Sequence, residues 1–283
     1  MILVKNNYFC GSSRKGNQIE MNQILYGLIG YPLSHSFSQK YFSEKFVRDG
    51  LVGYSYNIFP ISSIADLYQL LEQFPNLRGI NVTIPYKEQI IPFMDEMDIL
   101  AEKTGAVNTV QVMRNGKEIY LKGYNTDVYG FSRSLEEWFT ACNAELPSRA
   151  LVLGTGGASK AVAYSLSCLG MVVHLVSRRK DVNVYKTYDQ LDVVDVDTHR
   201  LIVNTTPLGM FPNTGECPAI PYSYLTEKHY LFDLVYNPKE TLFMKKGVDV
   251  GASVYNGERM LHLQADKAWE IWNNYELEIT NEK

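Results

Sequence analysis

The sequence has no apolar run near the ~20 residues that a helix needs to cross a bilayer, no C-x-x-C pair and no excess of positive charge. The first absence excludes a protein with a transmembrane helix. The formal net charge is −4, from 27 basic and 31 acidic residues, which argues against a nucleic-acid-binding or membrane-surface protein. We therefore expect neither nucleic acid nor a membrane among the partners of this chain.

The cysteines are few and scattered: Cys10, Cys142, Cys168 and Cys217. This usage suits a reduced cytoplasmic protein better than a disulfide framework or a zinc site, so we expect no metal. The chain has 283 residues, of which 46% are hydrophobic and 20% charged. That length and composition allow two domains, each with its own hydrophobic core, and argue against a largely disordered chain.

Residues 1–20 form an exception to this globular pattern. They are polar, show no helix or strand period, and lack the long apolar core of a signal peptide. Met21 stands just before the first predicted strand. We expect residues 1–20 to be a disordered extension, which an upstream choice of start codon would explain.

Strand-like and helix-like segments alternate along most of the chain, which predicts a mostly parallel α/β sheet. The predicted strands are 24–29, 54–59, 78–83, 172–176, 201–204, 230–233 and 252–255, and the predicted helices include 38–47, 63–74 and 258–275.

Residues 109–124 break the alternation. Two strand-like runs flank the Asn-Gly pair at 115–116, the strongest short signal for a hairpin. Pairing outward from that turn places Asn108 opposite the Gly123 region, to within one or two residues. The hairpin therefore brings Asn108 and Asp127 to the same end of the sheet.

A glycine-rich turn divides the chain at residues 151–161, which read LVLGTGGASKA. Glycines let the backbone approach a pyrophosphate, and the following helix turns its positive end toward it. Any tight strand-to-helix turn can use glycine, but the strand before and the helix after favour a dinucleotide site. The turn departs from G-x-G-x-x-G because Ser159 holds the third glycine position. The residues predicted to contact the dinucleotide here are Gly154, Thr155, Gly156, Gly157 and Ala158.

The next strand ends in Ser177, Arg178, Arg179 and Lys180, about 20 residues after the glycines, where an NAD site usually presents an acid to the ribose. Three cations without an acid suit the 2′-phosphate of NADP, because arginine offers a planar bidentate fork. A solvated basic loop is the alternative, but the spacing from the glycine turn favours NADP.

Residues 204–210 (NTTPLGM) follow another strand. Their place at the carboxyl end of that strand makes Thr205, Thr206 and Met210 candidates for lining the nicotinamide side of the cofactor site. An ordinary Pro-Gly turn explains the segment equally well.

Two serines, Ser36 and Ser38, precede a predicted helix and offer two hydroxyls for a substrate carboxylate. The alternative is a capping box formed by Ser36 with Gln39. A lone histidine such as His35 is more often structural than catalytic.

Residues 81–87 (NVTIPYK) end a strand and open a helix. Asn81 and Thr83 face one side of the strand by its period of two. Lys87 stands at a predicted helix N-terminus, where the helix dipole opposes its charge, which suits it to proton transfer. An exposed surface lysine is the alternative.

Asp127 opens the predicted helix 127–139, where an acid serves simply as an N-terminal cap. The hairpin nevertheless places it in the strand-end crevice where open α/β sheets bind ligands. A Lys87/Asp127 pair at one substrate hydroxyl is a workable acid–base device.

Together these motifs resemble the shikimate dehydrogenase family over residues 26–272. The order and spacing of the matching segments are highly specific. The segments are 36–38, 81–87, 105–109, 123–127, the glycine turn, 204–210, 233–236 with Pro238 and Thr241, and Gly257 with 260–261 and 264–265.

The resemblance implies NADPH-dependent reduction of 3-dehydroshikimate to shikimate in chorismate biosynthesis, without a metal. It implies Lys87 and Asp127 as the catalytic pair, with Lys87 as the proton carrier. The substrate residues that it implies are Ser36 and Ser38 for the carboxylate and Asn81, Thr83, Asn108 and Gln264 for hydroxyls, with Tyr236 close by; Gly257 joins the cofactor residues.

The resemblance also implies two domains. Residues 21–126 plus 257–283 would form an α/β substrate-binding domain and 127–256 a Rossmann-like NADP-binding domain. The C-terminal helix would return to the first domain so that Gln264 reaches the substrate. We expect a monomer or a homodimer.

Three residues depart from the family pattern: Thr155 replaces an alanine, and Ser177 and Arg179 stand where Asn and Thr are more usual. Arg178 is kept, so NADP remains the expected cofactor.

One alternative function is that of a quinate- or shikimate-oxidising relative, including one that uses NAD. Another is a catalytically silent NADP- or ligand-sensing protein, against which the Lys87/Asp127 pair argues.

Overall fold

A computed structural model describes residues 23–33 and 36–274. The expected disordered extension at 1–20 and the expected structural role of His35 fall outside the described residues. The described chain forms two six-stranded sheets with helices around them, which confirms the predicted α/β class.

The first sheet has the strand order β2-β1-β3-β5-β6-β4. Strands β1, β2 and β3 run parallel, β5 lies antiparallel to both β3 and β6, and β4 is parallel to β6. The strands are β1 Ile24–Ile29, β2 Tyr54–Phe59, β3 Leu77–Val82, β4 Glu96–Met97, β5 Thr109–Asn115 and β6 Glu118–Tyr124. The associated helices are α1 Phe37–Arg48, α2 Leu67–Gln73, α3 Tyr86–Gln89 and α4 Ile99–Thr104.

Alternation along β1 gives the first sheet its two packed faces. Leu25 and Ile29 belong to the core that includes α2, whereas Tyr26 and Leu28 face the core that includes α1 and the C-terminal helix. Side chains of a strand point alternately to opposite faces, so one apolar strand can serve both layers.

The second sheet is parallel throughout and has the order β12-β11-β10-β7-β8-β9. Buried apolar residues on both faces pack against helices, as the uninterrupted apolar strands require. The strands are β7 Arg149–Leu153, β8 Val172–Ser177, β9 Lys186–Thr187, β10 Leu201–Asn204, β11 Tyr230–Asp233 and β12 Ser253–Asn256. The helices are α5 Thr126–Ala141, α6 Gly157–Cys168, α7 Val193–Thr198, α8 Leu242–Val248 and α9 Glu258–Asn273.

The predicted hairpin exists, but its turn was placed wrongly. Asn115 pairs with Glu118, so the two turn residues are Gly116 and Lys117 instead of Asn115 and Gly116. Gly116 has φ +61°, which is the requirement of the first turn position in a type II′ hairpin. The register therefore moves by two residues, and Thr109 pairs with Tyr124.

Helix α9 returns to the first sheet. The Trp272 indole Nε1 donates a hydrogen bond to the Val110 carbonyl at 3.0 Å, and Gln111 Nε2 donates to the Ile271 carbonyl at 3.1 Å. The Trp272 ring covers Gly79 on β3 so closely that a Cβ there would lie 2.4 Å from ring atoms. This contact fixes where α9 lies on the sheet.

We therefore expect Gly79→Ala to lower the free energy of unfolding by about 1–3 kcal/mol, because the added methyl displaces the indole from a packed site. Denaturant unfolding followed by tryptophan fluorescence measures the change. Gly215→Ala is the control, since nothing lies within 4 Å of its would-be Cβ. Equal stability of the two variants would contradict this packing.

Candidate active site

A cavity of about 220 Å³ lies between the two sheets and contains residues from both. It opens where the carboxyl ends of parallel strands meet, the usual ligand position in open α/β sheets. Ten residues singled out from the sequence line it: Thr83, Lys87, Asp127, Ala158, Thr205, Thr206, Met210, Tyr236, Gly257 and Gln264. Six further lining residues, all apolar, lie in motifs singled out from the sequence but had no individual role assigned: Ile84, Pro207, Leu234, Val235, Met260 and Leu261.

Lys87 and Asp127 form an ion pair in this cavity. The distance from Lys87 Nζ to Asp127 Oδ2 is 2.6 Å, and their side chains are 17% and 4% exposed. Removing two charges from water is costly unless their remaining hydrogen-bonding capacity is also satisfied. Asn108 Nδ2 does this for the carboxylate by donating to Asp127 Oδ1 at 2.9 Å.

Asp127 is not the cap of helix α5. The cap is Asn125, whose side-chain oxygen accepts from the backbone N–H groups of Asp127 and Val128. The Asn125 amide also donates to the Thr104 hydroxyl and the Ala106 carbonyl, both at 2.9 Å. Capping by Asn125 leaves the Asp127 carboxylate free for Lys87, so the capping explanation of Asp127 is wrong.

Asn108 connects the ion pair to the C-terminal helix. Its amide Nδ2 also lies within hydrogen-bonding distance of Thr126 Oγ1 at 3.0 Å and Gln264 Oε1 at 3.1 Å. Its oxygen accepts from the Thr126 backbone N–H at 2.7 Å. Asn108 therefore contacts both Asp127 and Gln264, which lie 137 residues apart in the sequence.

Asn81 lies beside this cluster, outside the cavity lining. Its Oδ1 accepts from the Tyr56 hydroxyl at 2.7 Å, and its Nδ2 donates to Thr109 Oγ1 at 3.2 Å. Burial raises the pKa of Tyr56, and a hydrogen bond with the Ser38 hydroxyl opposes that rise. Sequence reasoning missed Tyr56, which could have been found as the inward-facing residue of β2.

Ser36 stands at the N-cap position of α1 but makes no side-chain cap bond. The alternative explanation of Ser36, a capping box with Gln39, is therefore wrong, and the Ser36 hydroxyl is not used to cap the helix. The next residue, Phe37, packs edge-on against Tyr236 with ring centroids 5.9 Å apart. This contact brings the start of α1, with Ser36 and Ser38, next to the cavity residue Tyr236.

The glycine turn follows β7 and faces the same cavity. Gly154 has φ +119°, a conformation that side chains rarely adopt, and Thr155 and Gly156 are exposed. Helix α6 starts at Gly157 without a side-chain cap, so its first N–H groups lack the partner that a cap would supply. A Cβ on Gly157 would lie 3.2 Å from Lys87 Cβ, so the turn packs directly on the stem of the lysine.

The turn and the end of β8 together fit a phosphorylated dinucleotide. The turn offers an uncapped helix N-terminus, which binds anions. Arg178 and Arg179 are exposed, and neither forms an ion pair with any residue in the described part of the chain.

Within residues 23–33 and 36–274, no helix has the length and apolar character to span a membrane. The same residues hold no cluster of three or more His, Cys, Asp or Glu side chains arranged for a metal ion.

Comparison with known proteins gives the family of this chain. Residues 28–110 match the family model described as the shikimate dehydrogenase substrate binding domain. A shikimate dehydrogenase (NADP(+)) from Methanococcus maripaludis is 36% identical over 90% of this chain and 94% of its own length. The chain belongs to the shikimate dehydrogenase family.

Solved structures of shikimate dehydrogenase and of a related enzyme share the fold. The shikimate 5-dehydrogenase of Thermus thermophilus, in complex with NADP(H) and shikimate, is 29% identical with a TM-score of 0.76, covering 89% of this chain and 94% of that one. The quinate dehydrogenase of Corynebacterium glutamicum, in complex with NAD, gives the same values. The fold alone therefore does not separate the two activities.

Two polar residues of the expected dinucleotide site, Ser159 and Lys180, form hydrogen bonds within the protein. Ser159, at the third glycine position, is buried and its hydroxyl lies 2.6 Å from that of Thr205, which donates to the Leu153 carbonyl. Lys180 donates to the carbonyls of Val184 and Tyr185 at 2.5 and 2.6 Å. Lys180 therefore forms hydrogen bonds within its own loop.

The cap assignment makes a direct prediction. We expect Asn125→Ala to lower the free energy of unfolding by about 1–2 kcal/mol, because the first N–H groups of α5 lose their acceptor. Ser36→Ala, at an N-cap without a side-chain bond, should change it by less than about 0.5 kcal/mol. Urea unfolding without ligand compares the two variants. A larger loss for Ser36→Ala would contradict the assignment.

Proposed function

We propose that this chain reduces 3-dehydroshikimate to shikimate with NADPH, reversibly, as a step of chorismate and aromatic amino acid biosynthesis. The observation that carries the proposal is the Lys87–Asp127 ion pair of 2.6 Å, placed in a cavity that is also lined by Ala158, the residue that follows the last glycine of the turn. Family membership and the activities of the relatives support the same reaction.

The residues of this chain account for the proton in the reaction. When bound, NADPH supplies a hydride to the carbonyl carbon of the substrate. Lys87 Nζ donates a proton to the carbonyl oxygen as that oxygen becomes a hydroxyl, and it takes the proton back in the reverse direction. Asp127 holds the ammonium group in place, and Asn108 in turn fixes the carboxylate.

The substrate is held by the polar groups around this pair. We assign the carboxylate to Ser36 and Ser38, because α1 begins beside Tyr236 and the Ser36 hydroxyl is not used as a cap. The residues assigned to the ring hydroxyls are Asn81, Thr83, Asn108 and Gln264, with Tyr236 close by.

The cofactor is assigned to the second sheet. Its pyrophosphate is assigned to Gly154, Thr155, Gly156, Gly157 and Ala158, because helix α6 begins there without a side-chain cap and Ala158 lines the cavity. The 2′-phosphate is assigned to Ser177, Arg178 and Arg179, and the nicotinamide side to Thr205, Thr206, Met210 and Gly257.

The assignment of residues to domains follows from these sites. We propose a substrate-binding domain of 21–126 plus 257–283 and an NADP-binding domain of 127–256. Helix α9, whose Trp272 packs on β3 and β5, supports placing the C-terminal segment with the first domain. We further propose a cytoplasmic monomer or homodimer.

Replacing the proton carrier tests the reaction. We expect Lys87→Met to lower kcat for shikimate oxidation with NADP+ by about 10²–10⁴-fold, since the proton loses its acceptor. Shikimate binding, measured by calorimetry, should be retained. Lys103→Met, at an exposed lysine of α4, is the control and should leave kcat unchanged.

The same assay distinguishes the alternatives. Faster turnover of quinate than of shikimate would replace the proposal by a quinate dehydrogenase. Ligand binding without turnover of shikimate or quinate, with either NADP+ or NAD+, would indicate a sensor on the same scaffold. Full activity of Lys87→Met would overturn the role of the lysine.

Cofactor preference has its own test. We expect Arg178→Ala to raise KM for NADP+ by about tenfold or more, because a charged hydrogen bond to the 2′-phosphate is lost. KM for NAD+, which lacks that phosphate, should stay within about twofold. Arg133→Ala, at a surface ion pair with Glu136, is the control. An equal rise for both nucleotides would contradict the assignment.

A further inference from the structure

Asp233 is a buried carboxylate that the proposed reaction does not use. It ends β11, is 0% exposed, and burial raises its pKa to about 6. Its Oδ1 accepts from Asn204 Nδ2 at 2.9 Å and from the Val235 N–H at 3.0 Å, and its Oδ2 accepts from Thr241 Oγ1 at 2.5 Å. A buried charge is tolerated only with such partners.

Asn204 links Asp233 to the loop that follows β10. The Asn204 Oδ1 accepts from both the N–H and the hydroxyl of Thr206, at 3.0 and 2.7 Å. The Asn204 carbonyl accepts from the N–H of Leu234 at 2.9 Å. Thr206 is therefore held by an asparagine whose other side-chain atom is bound to Asp233.

The loop after β11 is attached to the same carboxylate through Val235. It also lies against Gly257, where a Cβ would approach the Leu234 carbonyl oxygen to 2.2 Å. Thr241, the third partner of Asp233, packs against Gly209, whose would-be Cβ is 3.4 Å from Thr241 Cβ. Asp233 is thus linked by hydrogen bonds to the start of both loops: directly to Val235 and through Asn204 to Thr206.

These two loops, residues 205–210 and 234–236, form one wall of the cavity, here called the loop wall. The wall stands at β10 and β11, whereas the glycine turn and Arg178 stand at β7 and β8. In a dinucleotide-binding fold the adenosine half lies over the first strand–helix–strand unit. The nicotinamide half lies on the other side of the point where the strand order of the sheet reverses. The loop wall is therefore the place for the nicotinamide half.

We propose that Asp233 is the positioning residue that keeps the two loops of the loop wall in place and so supports binding of the nicotinamide half of the cofactor. It touches neither substrate nor cofactor and acts through Asn204 and Val235. The inference rests on the proposed function, because it needs a pyridine nucleotide in this cavity.

Calorimetric titrations with NADP+ and with 2′,5′-ADP, which lacks the nicotinamide half, test the proposal. Asp233→Ala should weaken NADP+ binding by about tenfold or more, because buried donors lose their acceptor and the loops shift. Binding of 2′,5′-ADP should stay within about twofold of the unsubstituted protein. Ser165→Ala, at a buried hydroxyl of α6 bonded to Val128 and Ala161 carbonyls, is the matched control and should change neither.

Rescue by a conservative variant separates positioning from general damage. Asp233→Asn keeps an oxygen for Asn204 and Val235 and should bind NADP+ within about threefold of the unsubstituted protein. Should Asp233→Ala fail to fold, Asn204→Ala severs only the link to residues 205–210 and should give the same selective loss.

Unchanged NADP+ binding in Asp233→Ala, or an equal loss for NADP+ and 2′,5′-ADP, would overturn the proposal. So would a loss in Asp233→Asn as large as that in Asp233→Ala. If the unsubstituted protein binds 2′,5′-ADP but no NADP+, or neither, the cofactor assignment itself fails, which is a different result from an insensitive Asp233.

Discussion

The rest of the site depends on keeping a lysine and an aspartate paired and almost buried. An ion pair removed from water is retained only where further hydrogen bonds satisfy its atoms. Asn108 supplies that bond to Asp127, and Asn125 caps α5 so that the carboxylate need not. Gly157 lets the glycine turn reach the stem of Lys87. The Lys87–Asp127 ion pair therefore requires α3, β5, α5, α6 and α9 to be in place together.

The two sheets line the cavity with different kinds of chemical group. On the first sheet, side-chain amides and hydroxyls form a continuous polar chain from Tyr56 through Asn81 and Thr109 to Asn108. On the second, backbone N–H groups and loops provide the surface, and Asp233 fixes the loops from within the sheet. Such a division suits a substrate rich in hydroxyls on one side and a long anionic cofactor on the other.

Local sequence patterns predicted most strands and the glycine turn, because apolar periodicity and glycine chemistry act over a few residues. The turn at Gly116 was misplaced by one residue, since Asn-Gly and Gly-Lys both fit a two-residue hairpin. Neighbouring polar residues at a helix start are also ambiguous, so Asn125 could not be distinguished from Asp127 as the cap. The bonds of Lys180 and Tyr56, and the strand order of each sheet, arise from contacts between distant parts of the chain that no local pattern encodes.

The central claim is that Lys87 and Asp127 act as one unit on the transferred proton. A double-substitution cycle with Lys87→Met and Asp127→Asn, followed as the single-turnover rate of NADPH formation from shikimate, tests it most directly. Residues that act as a unit are strongly non-additive, so the double variant should be no slower than the slower single variant. If the two single losses instead multiply, the residues act independently, and the account of the ion pair as a single acid–base device is contradicted.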